Sequence, residues 1–299
     1  MKNKNIIIGL IIFLAVLGVS LVFGMVILLN KNIDFSFGFN LGSKNMTLVD
    51  TYEEDGKNIS KVDLNLYSTD VELKESTNDN LKIEYYSNKE TANVIKKDND
   101  RVYIDEEDSH AICIGICSNH RKTIVYLPGN YSGLINISTR SGDIKSLIPA
   151  IENELNIVTS SGDVYLKNAT LVKIGTSSGD VDIGSAHKLV INTSSGDVLI
   201  KELVNNLEVE TRSGEIEINK VDQYLKLDTS SGDILIDDLA ITNNSIIDTS
   251  SGDIKIKDNS SNCYIDFKSN SGDAHINKSD RKSDIVLEVK TRSGDIRVN

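Results

Sequence analysis

From residue 138 to residue 299, apolar residues come in pairs separated by one polar residue, and the pairs bracket a recurring polar step. Leu155 and Ile157 precede one such step, and Val164 and Leu166 follow it. Val172 and Ile174 are answered by Val181 and Ile183, and Leu207 and Val209 by Ile216 and Ile218. Polar residues such as Asn156, Lys173, Glu208 and Asp228 fill the alternate positions. A period of two belongs to a strand with one buried face, so each step joins two short strands that turn their apolar side chains the same way.

The step is Ser-Gly-Asp, with Glu for Asp once. Its glycines are Gly142, Gly162, Gly179, Gly196, Gly214, Gly232, Gly252, Gly272 and Gly294. Its acids are Asp143, Asp163, Asp180, Asp197, Glu215, Asp233, Asp253, Asp273 and Asp295. Nine of the 20 glycines therefore stand in one motif, at spacings of 17 to 22 residues, which marks a repeat architecture. Gly at the step predicts a backbone with positive φ, and the neighbouring Ser and Asp predict hydrogen bonds to local backbone. Three residues before the glycine stands Thr (Ser269 once), and alternation turns it inward, where its hydroxyl must find a partner. Inward hydroxyls count against an ice-binding array, which would need them outside.

A unit of this length with one unfinished apolar face must stack on its neighbours. Identical corners once per unit are explained most simply by parallel coils, each strand pairing with its equivalent in the next; stacked antiparallel hairpins are the alternative. Nine coils at about 4.8 Å would make a rod of about 43 Å. A degenerate coil precedes them, with Val62, Leu64 and Leu66, then Ser68-Thr69-Asp70, then Val71 and Leu73, placing Thr in the glycine position. Residues 81–137 are strand-like but off-period and read as an N-terminal cap.

Repeated Thr-Ser-Ser-Gly-Asp units over about residues 60–299 resemble the bacterial β-strand-repeat proteins known as “putative adhesins”, a domain of unknown function. The resemblance implies a β-solenoid ectodomain at the bacterial surface, in a family associated in part with envelope-stress systems. It brings no catalytic residues with it.

Residues 6–29 form a 24-residue run without a charge, about 36 Å as a helix against a hydrocarbon core of about 30 Å. The run is longer than a secretory signal's apolar stretch, and no Ala-x-Ala site or lipoprotein-type Cys follows it, so an uncleaved anchor is expected. Lys2 and Lys4 precede it with no acid nearby, placing the N-terminus in the cytoplasm and the remainder outside. Ile33, Phe35, Phe37, Phe39 and Leu41 alternate as a first strand, and residues 42–60 read as linker or loop. The full expectation is an all-β fold: a parallel β-solenoid, β-helix-like ectodomain behind one N-terminal transmembrane helix. It divides into a cytoplasmic N-terminus (1–5), an anchor (6–29), a juxtamembrane strand and linker (30–60), an off-period β region (61–137) and the repeats (138–299).

Charge narrows the partners. The chain carries 32 Lys plus Arg against 44 Asp plus Glu, and both cytoplasmic lysines fall before the span, leaving an acidic ectodomain. Nucleic acid is excluded as a partner, because phosphate affinity rests on clustered basic residues. The partners expected are the membrane and an unidentified envelope or surface ligand. With no evident cap after Arg297-Val298-Asn299, end-to-end self-association stays open, and a filament-forming scaffold is one alternative function.

Candidate chemistry is sparse, and no catalytic residue or cofactor is expected. His110-x2-Cys113-x3-Cys117-x2-His120 contains four potential zinc ligands. An extended strand would hold Cys113 and Cys117 about 13 Å apart, so a disulfide or a shared metal requires a turn, which Gly115 would supply; a bridge, free thiols and zinc stay open. Cys263 reads as a small buried residue, and His187 and His275 as surface residues. Stacking places the acids of the repeat about 4.8 Å apart, a repulsion of about 0.9 kcal/mol per pair at the dielectric of water. Either corner N–H groups offset it, with Arg140, Arg212 and Arg292 helping, or bound Ca²⁺ does, although the Gly-Gly-x-Gly-x-Asp pattern of calcium-loaded solenoids is absent. Polysaccharide-active β-helix enzymes form the remaining class, but no long loop interrupts the coils to build a cleft.

Overall fold

The computed structural model describes residues 35–37, 46–88, 94–106, 112–114, 120–149 and 151–299. The expected span at residues 6–29 lies outside the described residues, as do Cys117 and the bridge it would make with Cys113. Among the described residues regular structure is β apart from one 3₁₀ turn, Gly56–Asn58, and no helix is long and apolar enough to cross a membrane. The chain forms two units: Met1–Asn45 with Glu107–Asn119, and Met46–Glu106 with His120–Asn299. In the first, Phe35–Phe37 pairs in parallel with Ile112–Ile114.

The second unit is a parallel solenoid. Ile151–Thr159, Val164–Gly175, Val181–Asn192, Val198–Thr211 and Ile216–Thr229 pair in parallel in sequence order. Most of these long strands run from one corner, through a bend marked by register shifts, to the next. Equivalent repeat positions face each other, Leu207 opposite Leu225, Val209 opposite Leu227 and Ile216 opposite Ile234, which decides against antiparallel hairpins. Parity follows the sequence pattern: Leu207, Val209, Ile216 and Ile218 are buried while Glu208 and Glu217 lie on the outer faces. Each such aliphatic contributes about 1.5–3 kcal/mol of burial, drawn from contacts with the coils on either side.

Coil order departs from sequence order at both ends. The degenerate coil, Lys61–Asn65 and Asp70–Glu75, pairs with Leu134–Thr139 and Ile144–Ser146 on one side. On its other side it pairs with Arg101–Asp105 and Arg121–Leu127, so two off-period strands form the outermost coil. Antiparallel strands then close this end, Ile95–Asp98 against Arg101–Asp105 and Asn80–Ser87 against Arg121–Leu127. At the tail, Ser245–Ser251 pairs with Val286–Ser293, which in turn pairs with Tyr264–Ser269. The coil of Gly294 is thus inserted between those of Gly252 and Gly272, and the outermost tail coil is the eighth in sequence.

Two expectations need correction. Residues 42–60 contain a strand, Thr47–Asp55, which pairs antiparallel with Asn80–Ser87. Its mainly polar composition suits an edge strand whose ladder supplies the order and whose faces are only half covered, with Leu48 half exposed. Nor is positive φ the reason for the corner glycines, since only Gly272 and Gly294 adopt it. The general reason is close approach. A Cβ at Gly162 would lie 1.9 Å from the Gly142 carbonyl oxygen, and one at Gly232 2.0 Å from that of Gly214. The same contact runs from Gly142, against the Thr69 carbonyl, to Gly272, against that of Gly294, in spatial order.

A methyl group at Gly232 must therefore push two coils apart. Gly232→Ala should destabilise the rod by about 2–3 kcal/mol in urea unfolding, whereas Lys226→Gln should stay within about 0.5 kcal/mol of the parent. Gly232→Asn should be at least as harmful as Ala, although Asn tolerates positive φ. Equal stability of all three variants would contradict the carbonyl contact.

The stacked corner as candidate functional site

Each corner is built from three residues of its own coil and one of its neighbour. The inward Thr turns its Oγ1 back to accept the glycine N–H three residues on, from Gly142 to Thr139 at 3.1 Å, Gly162 to Thr159 at 3.0 Å, and likewise at Gly179, Gly196 and Gly214. These threonines are buried, so the bond satisfies a hydroxyl and an amide that water does not reach. The arrangement lapses towards the tail. Thr229 and Thr249 Oγ1 have no protein partner, and Thr291 Oγ1 donates instead to the Gly252 carbonyl at 3.3 Å.

The acids form a ladder by bonding across coils. Asp143 N–H donates to Asp70 Oδ1, Asp163 to Asp143, Asp180 to Asp163, Asp197 to Asp180 and Glu215 to Asp197, at 2.9–3.1 Å. Beyond Glu215 the ladder resumes from Asp253 to Asp233, then Asp295 to Asp253 and Asp273 to Asp295, following the inverted coil order. Among the described residues it breaks at one step, from Asp233 to Glu215, the one corner where Glu stands for Asp. A hydrogen bond to a charged group is worth about 1.5–3 kcal/mol, the lower end applying to these exposed corners, and that still outweighs the repulsion of about 0.9 kcal/mol between stacked carboxylates. Arginine plays little part. Arg140 lies over the Tyr67 ring and donates to its hydroxyl, and the ion pair at the ladder is made by Arg297 with Asp295. Neither Arg140 nor Arg212 nor Arg292 forms an ion pair with the ladder among the described residues.

Two features lie outside the corner motif. Glu210, Asp228 and Asp248 stand directly opposite one another in successive strands, and Lys290 follows Asp248. Two shallow depressions on this face share Asn192, Glu210 and Asp228. Partial burial, and then the Asp228 carboxylate, push the Asp248 carboxyl above its ordinary range. The signal for this column is its constant place four residues before the corner glycine. The other feature is Glu106, at the outermost coil, which accepts from Tyr67 N–H at 2.8 Å, the Tyr85 hydroxyl at 2.7 Å and Arg121 at 3.2 Å, as well as from Thr69. Burial, together with Glu106, raises the Tyr85 phenol far above its usual value. Nothing in the local sequence announces this hub, because its partners come from three separate segments.

Cys263 is buried, with a thiol that burial pushes up, and His187 and His275 are exposed. Among the described residues no three His, Cys, Asp or Glu side chains converge as a metal ion would require. Apart from Glu215 and Asp273, each ladder carboxylate commits an oxygen to a neighbour's amide, and the acids lie in a row instead of a cage.

A parallel stack whose corners are satisfied by the next coil, closed at one end by antiparallel strands, defines a β-solenoid repeat protein. Residues 59–299 match the family model described as Toastrack DUF4097, and the chain belongs to that family. This agrees with the resemblance carried by the Ser-Gly-Asp corners. Among solved structures, the chain is similar to a “putative cell adhesion protein” from Clostridium sporogenes ATCC 15579, at 12% identity over 85% of this chain and 99% of that one, with a TM-score of 0.27. It is also similar to a “putative adhesin” from Parabacteroides distasonis ATCC 8503, at 9% identity over 89% of this chain and 100% of that one, with a TM-score of 0.29. No curated protein matches the chain.

The Asp248 environment sets a pH dependence. Its folded pKa lies above the unfolded value, so the folded state holds the proton more tightly and this residue's contribution to stability falls as pH rises from the ordinary Asp range through the raised value. Asp248→Asn should therefore stabilise the rod at pH 7 by about 0.2–1 kcal/mol, the usual cost of like charges across a ladder. The gain should vanish near pH 3, where the parent carboxyl is protonated. Urea midpoints at the two pH values check this, and destabilisation at pH 7 would contradict it.

Proposed function

We propose that this chain is a membrane-anchored extracytoplasmic β-solenoid that acts as a non-catalytic, adhesin-like binding or structural module of the cell envelope. The observation that carries the reading is the equivalence of the corners. Apart from Glu215 and Asp273, the acids of the repeat are spent on neighbouring amides, one per coil, so no single coil concentrates acid, base or nucleophile as a hydrolase or lyase would need. The repeat instead presents long, regular outer faces, the geometry that solenoids use for extended contact. The uncharged run at residues 6–29 and the lysines at positions 2 and 4 support the anchor and its orientation.

Protease added to intact cells should remove the rod and leave a small N-terminal stub, and shaved cells should lose retention on envelope-coated surfaces. Full-length protein that resists protease until lysis would refute the orientation. Turnover of acidic glycans by the purified chain would refute the non-catalytic reading.

A further inference from the structure

Among the described residues, the tail coil has core-register residues with no coil beyond them. Phe267 faces Val289 and Ala274 faces Ile296 in register, yet Phe267 is 48% exposed where Val289 is fully buried. Ala274 is likewise exposed, and Ile276 only partly covered. The opening is one-sided. Tyr264 N–H donates inward, to Ile285 at 2.8 Å, so by ladder parity Ile265, Phe267 and Ser269 turn their backbone groups towards the open end. There the connecting loop, residues 277–285, covers the start of the strand. Ser279 Oγ accepts the Ile265 N–H at 2.9 Å, and Asp280 N–H donates to the Cys263 carbonyl at 2.9 Å. The loop thus fills half of the layer the next coil would occupy, and no described residue pairs over the half at Phe267 and the corner Asn270–Asp273.

We infer that this end is self-complementary and that its occupant is a second copy of the chain, docked tail to tail about a two-fold axis that passes near Phe267. Such an axis exchanges the two ends of the strand. The raised loop of each copy then lies over the open corner half of the other, and the two loops side by side complete one shared layer that buries Phe267, Ala274 and Ile276 from both sides. Charge agrees with this exchange. Arg281 and Lys282 sit exposed on the loop without an ion pair among the described residues, and Asp273, last rung of the ladder, has no further coil to supply an N–H to its carboxylate. The rotation sets Asp273 against the partner's basic loop, twice. Head-to-tail growth is closed off, because antiparallel strands cover the opposite end of the stack, so the assembly stops at an isologous dimer. The inference stands apart from the anchoring and orientation proposed above.

Sedimentation equilibrium of the full chain in detergent tests it. The parent should show a reversible monomer–dimer equilibrium, and Phe267→Asp should weaken it at least tenfold, about 1.4 kcal/mol, without lowering the melting temperature, because the residue is half exposed in one copy. Asp273→Lys and the pair Arg281→Glu with Lys282→Glu should each weaken the dimer, and the three changes combined should restore it. The charge variants decide the matter if Phe267→Asp folds poorly. A chain that stays monomeric at about 100 µM, one that grows past a dimer with concentration, or a combined variant that does not recover would overturn the proposal.

Discussion

The fold depends on how closely two backbones can approach at the corner. One coil's glycine Cα sits against the carbonyl oxygen of the glycine in the neighbouring coil, leaving about 2 Å where a Cβ would be. No other residue fits that separation, and the separation is what lets the strands on both sides of the corner reach ladder distance together. The inward Thr then finds the glycine N–H, and the Asp carboxylate finds the amide of the next Asp, because the glycines have fixed where those groups lie. The apolar pairs supply the driving force, but the corner supplies the register, since the side chains alone would tolerate slips between equivalent rows of Ile, Leu and Val.

The same economy explains why a column of like charges does not break the rod. Most of these carboxylates are at once a charge repelled by their neighbours and the acceptor that holds a neighbour in place. Where Glu215 replaces Asp the bond to the next rung is lost, and just beyond it Thr229 and Thr249 lose their glycine bonds too. The tail half of the rod therefore lacks the inward Thr bonds of the earlier corners, while its Asp ladder resumes. Among the described residues the column of Glu210, Asp228 and Asp248 has no such compensating amides, and partial burial together with the Asp228 carboxylate raises the Asp248 carboxyl.

Much of this was legible in the sequence. Alternation gave the inward face, the spacing gave the parallel stack, and Ser68-Thr69-Asp70 announced a first corner, which the contact of Gly142 with the Thr69 carbonyl realises. The role of glycine was misread, because a turn glycine and a close-packed glycine look alike until the neighbouring carbonyl is placed. The strand Thr47–Asp55 was misread as linker, since an edge strand needs few apolar residues. The Glu106 hub was invisible, because its partners are distant in the chain. Coil order at the two ends was beyond reach for a physical reason: every corner accepts every other, so neighbouring rows cannot say which coil follows which. The chain skips a coil at residues 128–133 and again at 260–263, and the longer stretches 76–100 and 277–285 each carry it to an adjacent coil.

Disulfide trapping at the tail tests that account most directly. In a chain whose three native cysteines are replaced, Lys255→Cys with Arg297→Cys joins directly opposed residues of adjacent strands, about 4.8 Å apart, within the span of a disulfide. Lys255→Cys with His275→Cys joins residues two strands apart, at about 9.6 Å. Mild oxidation should close the first pair readily within one chain and leave the second open. Ready closure of the second pair and not the first would mean that the coils stack in sequence order and that the interchangeable corner does not govern the tail.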